Sequence, residues 1–282
     1  VNIISGGLHA GRNIDLQDFL VIPLSAESYP HALEMISATY WKTQEVLNRK
    51  GYNANLLADE GGFGPHLSSN KEALEILCEV FDLCGYTAGK DMAIALDVAS
   101  SHFYDSKTNM YHLASEKRLL DSSTMVDMLA QWTKDYPVIS IEDGLAEDDW
   151  EGWQRLTKKL GNKVQLVGDD LFTTHPERIQ KGIDLHAGNA VLVKMNQIGT
   201  LTETVKAMEL AKKADFKTVI SARSGETEDS TLADLAVGLD SKQIKIGSLA
   251  GSSRLAKYNQ LLRINEQLGG TYAGNSAFDF NQ

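Results

Sequence analysis

Short apolar runs rich in β-branched residues, each closing on polar side chains, recur along the chain from residue 93 onward. They fall at 93–100 (AIALDVAS), 138–143 (VISIED), 164–170 (VQLVGDD), 190–196 (AVLVKMN), 217–224 (KTVISARS) and 243–248 (QIKIGS). Near-continuous apolar runs are what strands buried on both faces require. Segments with three- and four-residue apolar spacing lie between or after them, among them SSTMVDMLAQWTKDY, DWEGWQRLTKKLG, TLTETVKAMELAKKAD and SRLAKYNQLLRINEQL, and these predict amphipathic helices. STLADLAVGLD shows the same spacing and is predicted likewise, whereas HPERIQKGID can make only a short helix. Strands alternating with helices argue for a parallel sheet with crossover connections. The first part differs. VNIIS and DFLVIPL are strand candidates joined by a loop alone, followed by two helices, YPHALEMISATYWKTQEVLNRKG and SNKEALEILCEVFDLCG. Ser69-x-x-Glu72 and Thr200-x-x-Glu203 have capping-box spacing. The order ββαα followed by six βα units gives eight strands, which in a chain of this length predicts an α/β fold closed into a β/α barrel, one domain over residues 1–282. A doubly wound open sheet is the alternative; it would carry a GxGxxG turn after an early strand, and the GG pairs here lack that spacing.

Composition narrows the partners. With 38 Asp and Glu against 27 Lys and Arg, the formal net charge is −11. That disfavours nucleic acid as a partner, because neutralising a phosphate backbone takes clustered basic residues. It suits solubility and bound cations. The two cysteines, Cys78 and Cys84, share one predicted helix at a spacing that is neither a zinc nor a redox pattern, and read as apolar packing. No apolar run reaches the roughly 18 residues of a membrane span, and no signal peptide is visible, so a cytoplasmic location is expected. VNIISGG resembles the second half of a strand, which predicts that the chain begins inside a domain.

In a barrel of this type the strand C-termini share one mouth, where chemistry sits. The strand ends here carry Asp97, then Glu142 and Asp143, then Asp169 and Asp170, then Lys194, then Arg223 and Ser224, then Lys245. Three strands in succession end in carboxylates and the next three in cations. One carboxylate at a strand end is explained by capping; three converging on one mouth repel unless a cation lies between them. Oxygen ligands without neighbouring Cys or His favour a hard ion, Mg²⁺ first. A lysine among apolar strand residues needs a partner or a task; near another cation its pKa should fall, which suits a general base. Arg223 with Ser224 offers a planar fork and a hydroxyl to a phosphate or a carboxylate. A metal and lysines on opposite sides of a small anionic substrate form a layout for removing a proton next to a carboxylate. Glu226 and its acidic neighbours are expected to begin the next helix. His31, His66, His112, His175 and His186 are expected in helix starts or loops, and His102 within reach of the mouth.

The segments GGLHAGRNIDLQDF, DEGGFGP, ALDVASSHFY, SIEDGLAEDDW, LVGDDLFTTHPERI, VLVKMNQIGTLTET, ISARSGETEDS and QIKIGS with RLAKYNQLLRI, in this order, resemble enolase, the phosphopyruvate hydratase family. The resemblance implies a Mg²⁺-dependent lyase of glycolysis that dehydrates 2-phosphoglycerate reversibly to phosphoenolpyruvate. It implies Asp97, Glu142 and Asp169 as the Mg²⁺ ligands and Lys194 as the base at C2. It further implies Glu60 as the acid assisting loss of the C3 hydroxyl, Lys245 on the substrate carboxylate, Arg223 and Ser224 on the phosphate, and His9 lining the site near it. Asp18 stands beside the leaving hydroxyl, where the family has Glu. A second Mg²⁺ would arrive with substrate. The resemblance also implies a homo-oligomer of at least two copies, and a capping domain N-terminal to the barrel that lies outside residues 1–282.

Several positions depart from the family pattern. Leu8 replaces a small residue, His102 a Glu, Gly144 a Pro and Ala222 a site histidine, while SLAGSSR follows QIKIG where AP and RSER are usual. Asp18 and Ala222 both fall where the family surrounds the leaving hydroxyl. The deprotonation half of the chemistry is kept and the hydroxyl-loss half is altered. A second reading is therefore an enolase-like enzyme with a shifted substrate, such as a phosphonate analogue. A third, a non-catalytic barrel acting through protein contacts, is opposed by the intact carboxylates and Lys194.

Overall fold

Every residue of strands β1 (Asn2–Ser5), β8 (Gln165–Gly168) and β9 (Ala190–Val193) is buried, as the continuous apolar runs predict. The computed structural model describes residues 1–279, so the expected domain extends past them at 280–282. After β1 come β2 (Asp18–Pro23), α1 (Tyr29–Arg49), α2 (Asn70–Leu83) and β3 (Met92–Asp97). Three short strands follow, β4 (Tyr104–Asp105), β5 (Met110–Leu113) and β6 (Arg118–Leu120), and then α3 (Ser122–Asp135). The alternating part runs β7 (Val138–Glu142), α4 (Trp150–Leu160), β8, α5 (Pro176–Leu185), β9, α6 (Met195–Ile198), α7 (Leu201–Lys213), β10 (Lys217–Ser221), α8 (Thr231–Gly238), β11 (Ile244–Lys245) and α9 (Ser252–Leu268).

Eight strands form one sheet in the order β1-β2-β3-β7-β8-β9-β10-β11. β2 is antiparallel to both β1 and β3, and every pairing from β3 onward is parallel. This is the expected ββαα(βα)₆ order with one addition, the antiparallel sheet β4-β5-β6. Between the sheet's two edge strands the loop 60–63 is stitched in. Phe63 N–H donates to Ile3 O (2.8 Å), Ser5 N–H to Phe63 O (2.8 Å) and Ser248 N–H to Glu60 O (2.8 Å), while Asn2 N–H reaches Gly247 O at 3.3 Å. The strand count and order are those expected; among the described strands β1 and β11 are not paired with each other, and loop 60–63 bonds β1 on one side and the segment after β11 on the other.

Side-chain alternation builds two layers. Leu166, Val191, Val193 and Ile220 join the main core under the helices, whereas their strand neighbours Val167, Ala190, Leu192 and Val219 form a separate cluster on the other face. On α1 the buried residues Ala32, Met35, Ile36, Thr39, Tyr40, Thr43, Val46 and Leu47 form one stripe. Ser69 and Thr200 cap α2 and α7 by accepting the N–H groups of Glu72 and Glu203, at 3.2 Å each; each cap stabilises its helix by about 1 kcal/mol. The return arm of each expected box lands elsewhere, Glu72 on Ser68 N–H (2.8 Å) and Glu203 on Thr200 Oγ1 (2.7 Å).

Several boundaries differ from expectation. β9 stops at Val193 and Met195–Ile198 turns helical, β10 stops at Ser221, and β11 keeps only Ile244 and Lys245. Glu226 precedes α8 rather than beginning it, because its carboxylate is engaged by Arg223 N–H (3.0 Å) and Lys257 (2.8 Å). His112 lies in β5, not in a loop. Among the described residues no helix is long and apolar enough to cross a membrane.

Candidate active site

Strand register aligns the polar ends. Asp18 pairs with Asp97, and Asp97 with Glu142, so three carboxylates lie in a row across β2, β3 and β7. Antiparallel β2 brings its first residue, not its last, to this edge. On the far side Ile220 pairs with Val193 and Ser221 with Lys245, which sets Lys194 and Lys245 on either side of β10. A cleft of about 300 Å³ opens here, and His9, Glu60, Asp169, Lys194, Arg223 and Lys245 are among the residues that line it. Ser224, Ala222 and His102 line it too, as expected for His102. A second cavity of about 160 Å³, lined by strand residues together with residues of α1, α9 and the C-terminal segment, holds none of this ionic convergence except Glu142 and Lys245.

Asp97 and Glu142 lie behind the cleft, held by Lys245. Its Nζ is 2.7 Å from Asp97 Oδ2 and 2.8 Å from both Glu142 carboxylate oxygens. Gln17 Nε2 adds a bond to Asp97 Oδ2 at 3.1 Å. Lys194 pairs with Asp169 Oδ2, whose Oδ1 accepts from Gln197 Nε2 at 3.1 Å. Asp143 accepts the N–H groups of Asp169 (3.0 Å) and Asp170 (2.8 Å), tying β7's end to β8's. Its own backbone is left-handed (φ 42°), as are Ala99 (φ 45°), Thr173 (φ 48°) and Thr174 (φ 56°) in the turns after β3 and β8.

The charges follow from this packing. Burial would push Asp97 up, but Lys245 beside it holds its carboxyl below the usual range. Burial and then the Asp97 charge push Glu142 well up; burial and then Asp169 do the same to Asp143. The expected fall of the Lys194 pKa is not what the structure shows. Burial lowers it, but the Asp169 and Glu142 carboxylates outweigh burial and Lys245, and the net direction is upward. Lys245 is likewise held well up, burial being outweighed by Asp97 and Glu142.

The expected ligand trio is not gathered as such. Asp169 has its carboxylate oxygens within 4.8 Å of those of Asp143 and Asp170, while Asp97 and Glu142 share Lys245. The donor chemistry fits a hard divalent cation nevertheless. Among the described residues Asp97, Glu142, Asp143, Asp169 and Asp170 face only Lys194 and Lys245 as paired cations, and Glu142 and Asp143 are pushed up by burial first and by the neighbouring carboxylates Asp97 and Asp169 second. All these donors are oxygens, which suits Mg²⁺.

A third group lies beside β2. His9 Nδ1 is 3.2 Å from Asp18 Oδ2, and Asp18 Oδ1 accepts from Asn2 Nδ2 (2.5 Å) and Ser5 Oγ (2.8 Å). Glu60 is 6 % exposed and, among the described residues, its Oε2 is buried without a partner, so its carboxylate is an unspent acceptor of the cleft. Across the cleft Arg223 Nη1 makes one long bond to Asn196 Oδ1 (3.3 Å), which leaves most of its fork open. Sequence reasoning did not single out Gln17, Gln197 or Arg254 (below); Gln17 and Gln197 stand within three residues of Asp18 and Lys194, and that adjacency was the available signal.

Comparison with known families matches the model of the enolase C-terminal TIM barrel domain to residues 1–280.

Proposed function

The chain belongs to the enolase C-terminal barrel family, and from that premise we propose that it is a Mg²⁺-dependent lyase interconverting 2-phosphoglycerate and phosphoenolpyruvate. The observation that carries this reading is one cleft lined by Asp143, Asp169 and Asp170 at the ends of β7 and β8 and by Lys194, Arg223 and Lys245, with Asp97 and Glu142 directly behind Lys245. In this reading Asp97, Glu142 and Asp169 hold the ion, which when bound supplies positive charge next to the substrate carboxylate, where negative charge builds. Lys245 holds that carboxylate from the other side. Arg223 and Ser224 receive the phosphate. Lys194, uncharged once Asp169 no longer faces it, takes the proton from C2 at Nζ. Glu60 gives a proton to the C3 hydroxyl, which leaves as water. His9 and Asp18 line the region of the leaving group and the phosphate. The substrate is small, anionic and phosphorylated, and neither a nucleic acid nor a membrane takes part. A cytoplasmic homo-oligomer is the setting proposed with it.

A second reading is favoured by Ala222 and Asp18. Ala222 is 6 % exposed and offers the cleft only a methyl group, and the Asp18 carboxylate is already bonded to Asn2, Ser5 and His9. Such a site would process a related substrate, for example a phosphonate analogue, more readily than 2-phosphoglycerate. Appearance of phosphoenolpyruvate absorbance from 2-phosphoglycerate with added Mg²⁺ supports the first reading. Turnover of phosphonopyruvate alone supports the second, and turnover of neither leaves a non-catalytic barrel.

A further inference from the structure

Helix α9 turns charge inward. Arg254, Lys257 and Tyr258 stand at i, i+3 and i+4 on one face and are 2, 1 and 5 % exposed. Their polar atoms bond the backbone of two loops. Arg254 Nη1 donates to the carbonyls of Arg223 (2.6 Å) and Ile246 (2.9 Å), and its Nη2 to Ser224 O (2.7 Å). Lys257 Nζ donates to Thr227 O (2.5 Å) and pairs with Glu226 Oε2 (2.8 Å), while Glu226 Oε1 accepts Arg223 N–H (3.0 Å). Tyr258 Oη donates to Gly247 O (2.7 Å). The bonded positions are confined to 223–227 and 246–247, the loops that follow β10 and β11.

Among the described residues Arg254 has no carboxylate partner. A fully buried guanidinium neutralised by carbonyl dipoles alone is an expensive way to hold two loops, and apolar packing would hold them at less desolvation cost. What the fork adds is geometry, since a planar group with several donors fixes the carbonyls of both loops in one frame. Gly247 shows that the fit is close. It is at φ +109°, and a Cβ there would come within 3.1 Å of Arg254 Cδ and 3.0 Å of Glu60 O.

We propose that Arg254, supported by Lys257 and Tyr258, is the positioning group of the anion clamp. It sets the Arg223–Ser224 loop against the loop after Lys245, so that the two cations keep the separation of the two anionic ends of one substrate. The inference rests on the reading of Arg223 and Ser224 as the phosphate site. It assigns Arg254 no contact with substrate. Its effect is preorganisation of the backbone that carries Arg223, whose own side chain is tied only by a 3.3 Å bond to Asn196.

The test uses the whole chain with Mg²⁺ present and inorganic phosphate as the calorimetric probe, with a thermal melt of each variant. Arg254→Met is expected to weaken phosphate about tenfold, the loss of one charge-assisted bond's worth of order. Arg254→Lys, whose single ammonium cannot span the three carbonyls, should fall between Arg254→Met and the parent. With 2-phosphoglycerate, KM should rise more than kcat falls. If Arg254→Met does not fold, Tyr258→Phe carries the measurement, with a smaller weakening of the same sign. Unchanged phosphate affinity in the folded variant, while Arg223→Gln loses it, overturns the positioning role and leaves the phosphate site standing. Unchanged affinity in Arg223→Gln, or no phosphate binding by the parent, overturns the phosphate site itself.

Discussion

The imidazole of His9 and the carboxylate of Asp18 meet at 3.2 Å in a pocket where Asp18 has no solvent contact. Burial pushes Asp18 from 3.8 up to about 6, and His9 is raised from 6.5 because Asp18 outweighs its own burial. Both groups bind protons more tightly in the folded chain than in the unfolded one. Their contribution to stability is therefore fully present at low pH, where the unfolded groups are also protonated. It falls as pH rises through about 6 for Asp18 and continues to fall as His9 loses its proton. Asp18→Asn removes this dependence while keeping a polar side chain for Asn2 and Ser5. The melting temperature of the variant minus that of the parent should be larger at pH 7.5 than at pH 5, with each kcal/mol worth roughly 2 °C in a chain of this length. A difference that is flat with pH, or that shrinks as pH rises, refutes the assignment.

Lys245 neutralises two buried carboxylates at once, at 2.7 Å from Asp97 and 2.8 Å from Glu142. Lys245→Met leaves both uncompensated and is expected to destabilise the fold by about 3–5 kcal/mol. Millimolar Mg²⁺ should raise the melting temperature of the parent through preferential binding to the folded state. In the variant, where the ammonium no longer occupies those oxygens, the rise should be larger and EDTA should reverse it. Melting temperatures that ignore both Mg²⁺ and EDTA in the two proteins would remove these carboxylates from the metal site.

Lys194 and Glu60 are assigned to separate half-reactions, and isotope exchange tells them apart. Lys194→Ala should abolish exchange of the C2 proton of 2-phosphoglycerate with solvent. Glu60→Gln should keep that exchange and slow dehydration by about 10²-fold or more, the usual contribution of one general acid. Exchange that survives in Lys194→Ala, or that vanishes in both variants alike, would show that the two residues do not divide the chemistry in this way.

The barrel strands were legible because parallel strands covered on both faces need unbroken apolar runs, and Val191 and Leu192 indeed serve opposite layers. The ordering of strand-end charges was legible for the same reason, since each run had a visible end. Other features left no periodic trace. β4 and β6 have two and three residues and pair at the surface, too short for alternation to register. Arg254 and Lys257 sit in a helix whose apolar spacing is genuine, so they read as its solvated side, whereas packing turns them inward onto carbonyls. Nor could sequence alone show that Asp143 spends its carboxylate on two backbone N–H groups while Asp169 serves Lys194, because that choice depends on how β7 and β8 meet.

Ala222 offers the most direct test of substrate. Its backbone is fixed by the N–H bond to Lys245 O at 2.8 Å, and it lies on the wall of the cleft between Ser221 and Arg223. Ala222→His adds an imidazole to this wall of the cleft, near the place proposed for the leaving hydroxyl. If the protein dehydrates 2-phosphoglycerate and hydroxyl loss limits it, a further proton donor or hydrogen-bond partner there should raise kcat/KM, by up to about 10²-fold for a group acting in general acid catalysis. If the methyl group instead makes room for another leaving group or a bulkier phosphonate, the imidazole fills that room, and activity on the phosphonate falls while activity on 2-phosphoglycerate stays low. Steady-state kinetics of parent and variant on both substrates separate the outcomes. A rise on 2-phosphoglycerate rejects the shifted-substrate reading, and a fall on the phosphonate without any gain on 2-phosphoglycerate rejects the enolase reading.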